Sequence, residues 1–192
     1  MKKSRKYIAL TALGLFAAVV TMTVMSRIYV TDFVPYVPTR TSEAELTQLA
    51  NFTRIHLEGD YAVEVTQVQD YSIEYSPLSE SQGEFAARVE NDTLFISGFG
   101  NRTDTDRAIV RIGVPVLDTL EASYLEEITI SDFRAPLMNV RVIGFQTFTM
   151  RNNVLDNIDL FSQGNGAINL QGNTFTMQNF HIEGESDLNI TE

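Results

Sequence analysis

Only two side chains in this 192-residue sequence carry an imidazole, His56 and His181, and there is no cysteine. Thiol nucleophiles, disulfides, Cys-type zinc sites and lipid attachment through cysteine are therefore excluded. Acid–base chemistry would fall to carboxylates, and the most suggestive spacing is Glu121, Arg141, Phe161 and His181, each 20 residues from the next. On stacked strands such a spacing makes one outward column holding an acid, a cation and a base. Its ends would lie three strand spacings apart, about 14 Å, too far for a paired acid and base. Glu121 and Arg141 are expected to meet as a surface ion pair, a contact contributing about 0–1 kcal/mol. His56 and His181 are expected to be solvated or half-buried side chains without other ligands around them. Hydroxyls are plentiful, but no motif sets one beside a histidine, so no catalytic residue is assigned.

Binding chemistry is constrained in the same way. Asp156, Asp159, Glu183, Glu185 and Asp187 supply oxygens near presumptive corners, yet neither an EF-hand loop nor a Gly-Gly-x-Gly-x-Asp nonapeptide is present, and no metal or cofactor is expected. The chain carries 25 acidic against 14 basic residues, a net charge of −11. A nucleic-acid partner is excluded, because phosphate would be repelled rather than its counterions displaced. Carbohydrate recognition favours aromatic platforms; tryptophan is absent, which leaves Tyr124, Phe145 and Phe161 at or beside corner and outward positions. Asn51, Asn91, Asn101 and Asn189 satisfy the N-x-[ST] sequon, a short pattern that chance also produces.

The charges are sorted along the chain. Residues 1–6 form a basic tail containing Lys2, Lys3, Arg5 and Lys6, and residues 7–25 carry no formal charge. Nineteen residues span about 28 Å as a helix, close to the thickness of a bilayer's hydrocarbon core. The basic flank predicts a single transmembrane anchor with the N-terminus in the cytoplasm. A cleaved signal peptide is the alternative, although no Ala-x-Ala follows the apolar run. Either way the remainder is exported, and residues 31–192 carry nine Arg, no Lys and all 25 acidic residues, a net −16. Residues 26–50 read as a linker: Pro35 and Pro38 favour extended backbone, and Ser42 with Glu45 has capping-box spacing for one short helix.

From Phe52 onward the pattern is that of strands. Ile55-His56-Leu57, Val63-Glu64-Val65 and Tyr71-Ser72-Ile73 alternate apolar and polar residues between Gly59-Asp60 and Gln69-Asp70 turns. Farther along, a period of 20 emerges. Leu120, Val140, Leu160 and Phe180 align, as do Ile128, Phe148, Ile168 and Leu188, and again Ile130, Met150, Leu170 and Ile190. Twelve apolar residues at twelve chosen positions have a chance probability on the order of 10⁻⁵. Ala135, Leu155 and Phe175 make a weaker fourth column. Gly144, Gly164 and Gly184 repeat at one corner, and Asp132, Asn152 and Gly172 at another. One register out, Thr129, Thr149, Asn169 and Asn189 form a polar series that strand alternation turns outward. The spacing predicts an all-β chain wound as a parallel β-helix over residues 51–192, with a hairpin sandwich as the alternative for residues 52–113, where the period is blurred.

Several segments resemble the head domain of auto-transporter adhesins, the GIN domain. Phe52–Val65 (FTRIHLEGDYAVEV) resembles the family's opening strand pair, and Val89–Ile96 (VENDTLFI) its turn and strand. Val110–Ser123 (VRIGVPVLDTLEAS) is similar to the segment built around a Val-Pro, and Gln163–Leu170 (QGNGAINL) to a Gly-rich turn entering a strand. The resemblance implies a right-handed, single-stranded parallel β-helix exported in envelope-bearing bacteria. Tyr124–Glu127 departs from it, being bulky and acidic where the family has a small corner.

Together these readings predict a membrane-anchored, adhesin-like interaction or structural module of the bacterial envelope, without catalytic activity. A β-helix enzyme acting on envelope polysaccharide is the alternative. Its candidate interaction face is Thr129, Thr149, Asn169 and Asn189, offered to an envelope protein or glycan. The last turn carries no evident cap, which leads to the expectation of a homo-oligomer formed through that open turn.

Overall fold

The computed structural model describes residues 48–76, 84–99 and 108–191, which form β-strands and tight corners without a helix. No helix among them is long and apolar enough to cross a membrane. The expected tail, anchor segment 7–25 and short helix after Ser42 lie outside the described residues.

In chain order the strands are β1 (Arg54–Gly59), β2 (Ala62–Gln67), β3 (Ser72–Ser76), β4 (Glu84–Glu90), β5 (Thr93–Phe99), β6 (Ile109–Val114) and β7 (Thr119–Ser123), then β8 (Glu127–Ser131), β9 (Arg134–Ile143), β10 (Thr147–Arg151), β11 (Val154–Gln163), β12 (Ala167–Gln171), β13 (Thr174–Glu183) and β14 (Asp187–Thr191). They build two seven-stranded sheets. The first runs β13-β11-β9-β7-β1-β5-β4 and the second β14-β12-β10-β8-β2-β6-β3. From β7 onward the chain alternates between the sheets, and each strand pairs in parallel with the one 20 residues later. Phe148 thus sits between Ile128 and Ile168, and Leu160 between Val140 and Phe180.

Every apolar column read from the sequence points between the sheets. Ile128, Ile130, Phe148, Met150, Ile168, Leu170, Leu120, Val140 and Leu160 are all buried. The long strands β9 and β11 bend where Pro136 and Asp156 drop out of the pairing register, so that Ala135 and Met138, though three apart, both face the core. Corners demand left-handed backbone. Asp132, Asn152 and Gly172 have φ of 65°, 56° and 60°, which Asp and Asn tolerate better than most side chains.

Residues 52–113 depart from a coil wound strictly in sequence. The β1–β2 pair lies between β5–β6 and β7–β8, while β3 and β4 pair antiparallel on β6 and β5. Neither a single-stranded coil nor a hairpin sandwich describes this part. The 20-residue period is lost there because neighbours in space are not neighbours in sequence. Tyr75 stacks on Phe85 with ring centres 4.2 Å apart, and Phe85 meets Tyr61 edge-on, closing the core at the β3–β4 end. At the opposite end β13 and β14 are the sheet edges, and their inward residues Leu188 and Ile190 remain 42% and 66% exposed.

Candidate functional site

The parallel register lines up outward side chains as strictly as inward ones, since a strand's residues alternate between faces. On the first sheet one rung crosses all seven strands: Arg88, Phe95, His56, Glu121, Arg141, Phe161 and His181. Adjacent members touch in a recurring way. The Arg88 guanidinium lies 4.7 Å from the centre of the Phe95 ring, and that ring is 5.5 Å from the His56 imidazole. His56 Nδ1 donates to Glu121 Oε2 at 3.2 Å. Farther along, the Arg141 guanidinium lies 4.2 Å over Phe161, which stacks on His181 at 5.4 Å and 13°. His181 Nε2 donates to Glu183 Oε1 at 3.0 Å. The order Arg, Phe, His therefore occurs twice along the rung; the first His meets Glu121 on the next strand and the second meets Glu183 on its own strand.

Electrostatics decide which contact forms. Glu121 has Arg141 on one side and His56 on the other, and it turns to His56. Arg141 instead lies on Phe161 and has no carboxylate partner among the described residues. The ion pair expected between Glu121 and Arg141 is thus replaced by two other contacts. An exposed guanidinium loses little by leaving a solvated carboxylate and gains dispersion and quadrupole attraction on a ring face.

The second sheet carries the expected polar series. Thr129, Thr149, Asn169 and Asn189 share one rung, which continues through Glu64, Arg111 and Glu74. Asn189 Nδ2 donates to Asn169 Oδ1 at 3.1 Å, and Arg111 Nε donates to Glu64 Oε2 at 3.0 Å. Thr129 is 7% exposed, so it cannot present its hydroxyl outward, whereas Thr149 and Asn169 are half-buried and Asn189 is exposed.

Residues 51–192 match the family described as "Putative auto-transporter adhesin, head GIN domain". The chain belongs to this family. Among solved structures, a "putative adhesin" from Parabacteroides distasonis is 13% identical, with a TM-score of 0.45 over 73% of this chain and 69% of that one. A "putative cell adhesion protein" from Clostridium sporogenes is 10% identical, with a TM-score of 0.40 over 80% of this chain and 96% of that one. No curated protein matches.

In this GIN domain the sequence-derived column Glu121, Arg141, Phe161 and His181 is one half of the seven-residue rung. The other half comes from β1, β4 and β5, where no period exists to reveal it. The aromatics divide: Phe145 is buried, edge-on to Phe148 at 6.4 Å, while Phe161 is half-exposed and Tyr124 exposed. Phe145 stands beside a corner, and its ring folds over the rim of the core. Among the described residues no three His, Asp or Glu converge as metal ligands. Asp159 accepts a bond from Asn179, and Glu183 takes His181 and Gln163, so those two carboxylates are bound to neighbours on the sheet.

A corner ladder escaped the sequence reading altogether. Buried Asn153 accepts from Phe133 N at 3.0 Å and donates to Ile130 O at 3.1 Å and to Asn173 Oδ1 at 2.9 Å. Asn173 donates to Met150 O at 2.8 Å one turn on. The signal is an Asn-Asn at 152–153 and an Asn at 173, of which the corner pattern marks only 152.

Proposed function

We propose that this GIN domain is an adhesin-like interaction module of the bacterial cell envelope, without catalytic activity. Residues 7–25 hold it in the membrane with the N-terminus inside, and the body stands in the periplasm or outside the cell. The two sheets are the walls of one right-handed parallel β-helix. Its regular part is β7–β14, and right-handedness follows from the strong preference of crossovers between parallel strands.

One observation carries the reading: outward side chains stand in straight columns at rung spacing, a rigid lattice suited to meeting an extended partner. On the second sheet, Thr149, Asn169 and Asn189 are the accessible part of the polar face offered to an envelope protein or glycan. The test compares cells carrying the full chain with cells carrying residues 1–50 fused to an unrelated domain. Loss of partner capture is expected in the fusion, which residues 7–25 still hold in the membrane; equal capture would remove the reading. Recovery of the full chain in washed membranes with an intact N-terminus is expected for an anchor, and a mature N-terminus after residue 25 would establish cleavage.

The exposed Leu188 and Ile190 favour self-association as a second reading. A second copy placed edge to edge would pair β13 with β13 and β14 with β14, an isologous contact that covers both side chains. Light scattering of the full chain in detergent is expected to give a dimer that Ile190→Lys dissociates, and a monomer at high concentration would exclude it.

A further inference from the structure

We propose that a second copy docks on the β13–β14 edge in one register, about a dyad that passes through His181 on the first sheet and Asn189 on the second. The proposal rests on the self-association reading and adds to it the register, the dyad residues and a composite polar face that neither copy holds alone.

The two edges fix which backbone groups seek partners. Gly164 N–H donates to Glu183 O at 3.0 Å and Gly172 N–H to Thr191 O at 2.9 Å, so residues 183 and 191 turn their backbone groups toward β11 and β12. In a parallel sheet a residue directs its N–H and C=O to one neighbouring strand, and the next residue directs its own to the other. Phe180, Ile182, Leu188 and Ile190 therefore direct theirs away from the sheets, and among the described residues no strand takes them. The same four side chains point between the sheets, with Phe180 and Ile182 half-buried and Leu188 and Ile190 exposed.

A dyad through His181 and Asn189, each four residues from the middle of the corner at Glu185, meets these demands together. Phe180 then lies opposite Ile182 of the second copy, and Leu188 opposite Ile190 of the second copy. Each apolar pair also exchanges two backbone hydrogen bonds. On the outer faces Asn179 meets Glu183 and Asp187 meets Thr191, so no carboxylate faces another although the body carries a net −16. Asn189 meets its own copy. Its amide both donates and accepts, and one N–H already goes to Asn169 Oδ1 at 3.1 Å. His181 stacks one ring face on Phe161, and the dyad sets the other against the same face of its copy. Moving the dyad to Ile182 and Leu188 would set Ile190 against the corner at Ser186. Moving it to Phe180 and Ile190 would set Ile182 against the polar Gln178.

A second copy is the occupant because two edges must be covered together. β13 and β14 lie on different sheets, so a foreign strand covers one of them, whereas a single dyad covers both. The far end offers no seat for head-to-tail growth. There β3 and β4 run antiparallel to the strands they pair with, and Tyr75 stacked on Phe85 closes the core. Association therefore stops at two. It joins Thr149, Asn169 and Asn189 to the same three residues of the second copy, six side chains over five steps of ~4.8 Å, or about 24 Å.

The chain has no cysteine, so single cysteines report the register in the full chain in mild detergent. Under a mild oxidant Asn189→Cys is expected to form a disulfide dimer, because directly opposite residues stand ~4.5–5.5 Å apart at Cα, within disulfide reach. Asp187→Cys and Thr191→Cys should each stay unlinked alone and cross-link when mixed. Asn189→Asp, which sets two carboxylates face to face, should weaken the dimer tenfold or more. Gln69→Glu, an exposed change of equal charge beyond β2, should leave it unchanged. Thermal melts of each variant verify the fold. A dimer by light scattering in which Asn189→Cys stays unlinked, or in which Leu188→Cys or Ile190→Cys links to itself, overturns the register and leaves self-association standing. A monomer at high concentration removes both.

Discussion

Asn153 shows how one side chain can hold a corner between paired strands. Its amide is fully buried, accepts from Phe133 N–H and donates to Ile130 C=O. Asn153→Ala is expected to cost about 2 kcal/mol in urea unfolding, because stranding a buried backbone group such as Phe133 N–H costs ~1–3 kcal/mol. Tyr61 is the other residue whose chemistry is set by burial. Desolvation pushes its phenol far above the ordinary value, with repulsion from Glu58 adding to the rise, and its hydroxyl donates to Ile96 O at 3.3 Å. The sign follows directly: the folded chain keeps this proton while the unfolded chain releases it above about pH 10, so stability falls as pH rises beyond that value. The loss between pH 9 and pH 11 is expected to be about 1.4 kcal/mol from this group, and Tyr61→Phe should remove that component from the pH profile.

Corners are the elements whose residue types are most legible, and also where burial hides a role. Asp132, Asn152 and Gly172 were legible because only a few residue types accept left-handed backbone, and Gly144 was legible for the same reason. Asn153 was missed because a buried asparagine and an exposed one are spelled alike, and burial depends on the turn stacked above. Tyr124 breaks the rule, holding φ 62° with a bulky ring that lies over Gly144. A Cβ at Gly144 would meet the Tyr124 ring at 3.0 Å while also occupying φ +62°. Gly144→Ala is therefore expected to destabilise by about 2 kcal/mol, of which ~1 is backbone strain. In a Tyr124→Gly background only the strain should remain, near 1 kcal/mol, and the difference between the two measurements isolates the contact. Equal costs in both backgrounds would place the whole effect in the backbone.

Across the whole molecule, what the sequence could reveal depended on how local the pairing is. From β7 to β14 each strand pairs with the one 20 residues on, so spacing alone reveals the columns, the corners and half of the planar rung. Between β1 and β6 the partners are out of order, and Arg88, Phe95 and His56 share a rung that no period announces. The same stacking predicts how stability is distributed. In an array where each turn touches only its neighbours, a residue's contribution depends on whether it has one neighbour or two. Ile130 and Ile190 occupy equivalent inward positions, yet Ile130 lies between Val65 and Met150 with no exposure, whereas Ile190 has only Leu170 beside it and is 66% exposed. Ile130→Ala should cost about 3–4 kcal/mol, as buried isoleucine truncations do, and Ile190→Ala less than about 1 kcal/mol. Amide exchange should follow the same gradient, slowest in β8 and β10 and fastest in β13 and β14, since an edge strand opens without unfolding its neighbours. Measured in dilute chain, uniform protection across all these strands would mean that the body opens only as one unit. Protection of β13 and β14 that rises with protein concentration would mean that a second copy covers the edge, and Ile190→Lys should then abolish the rise.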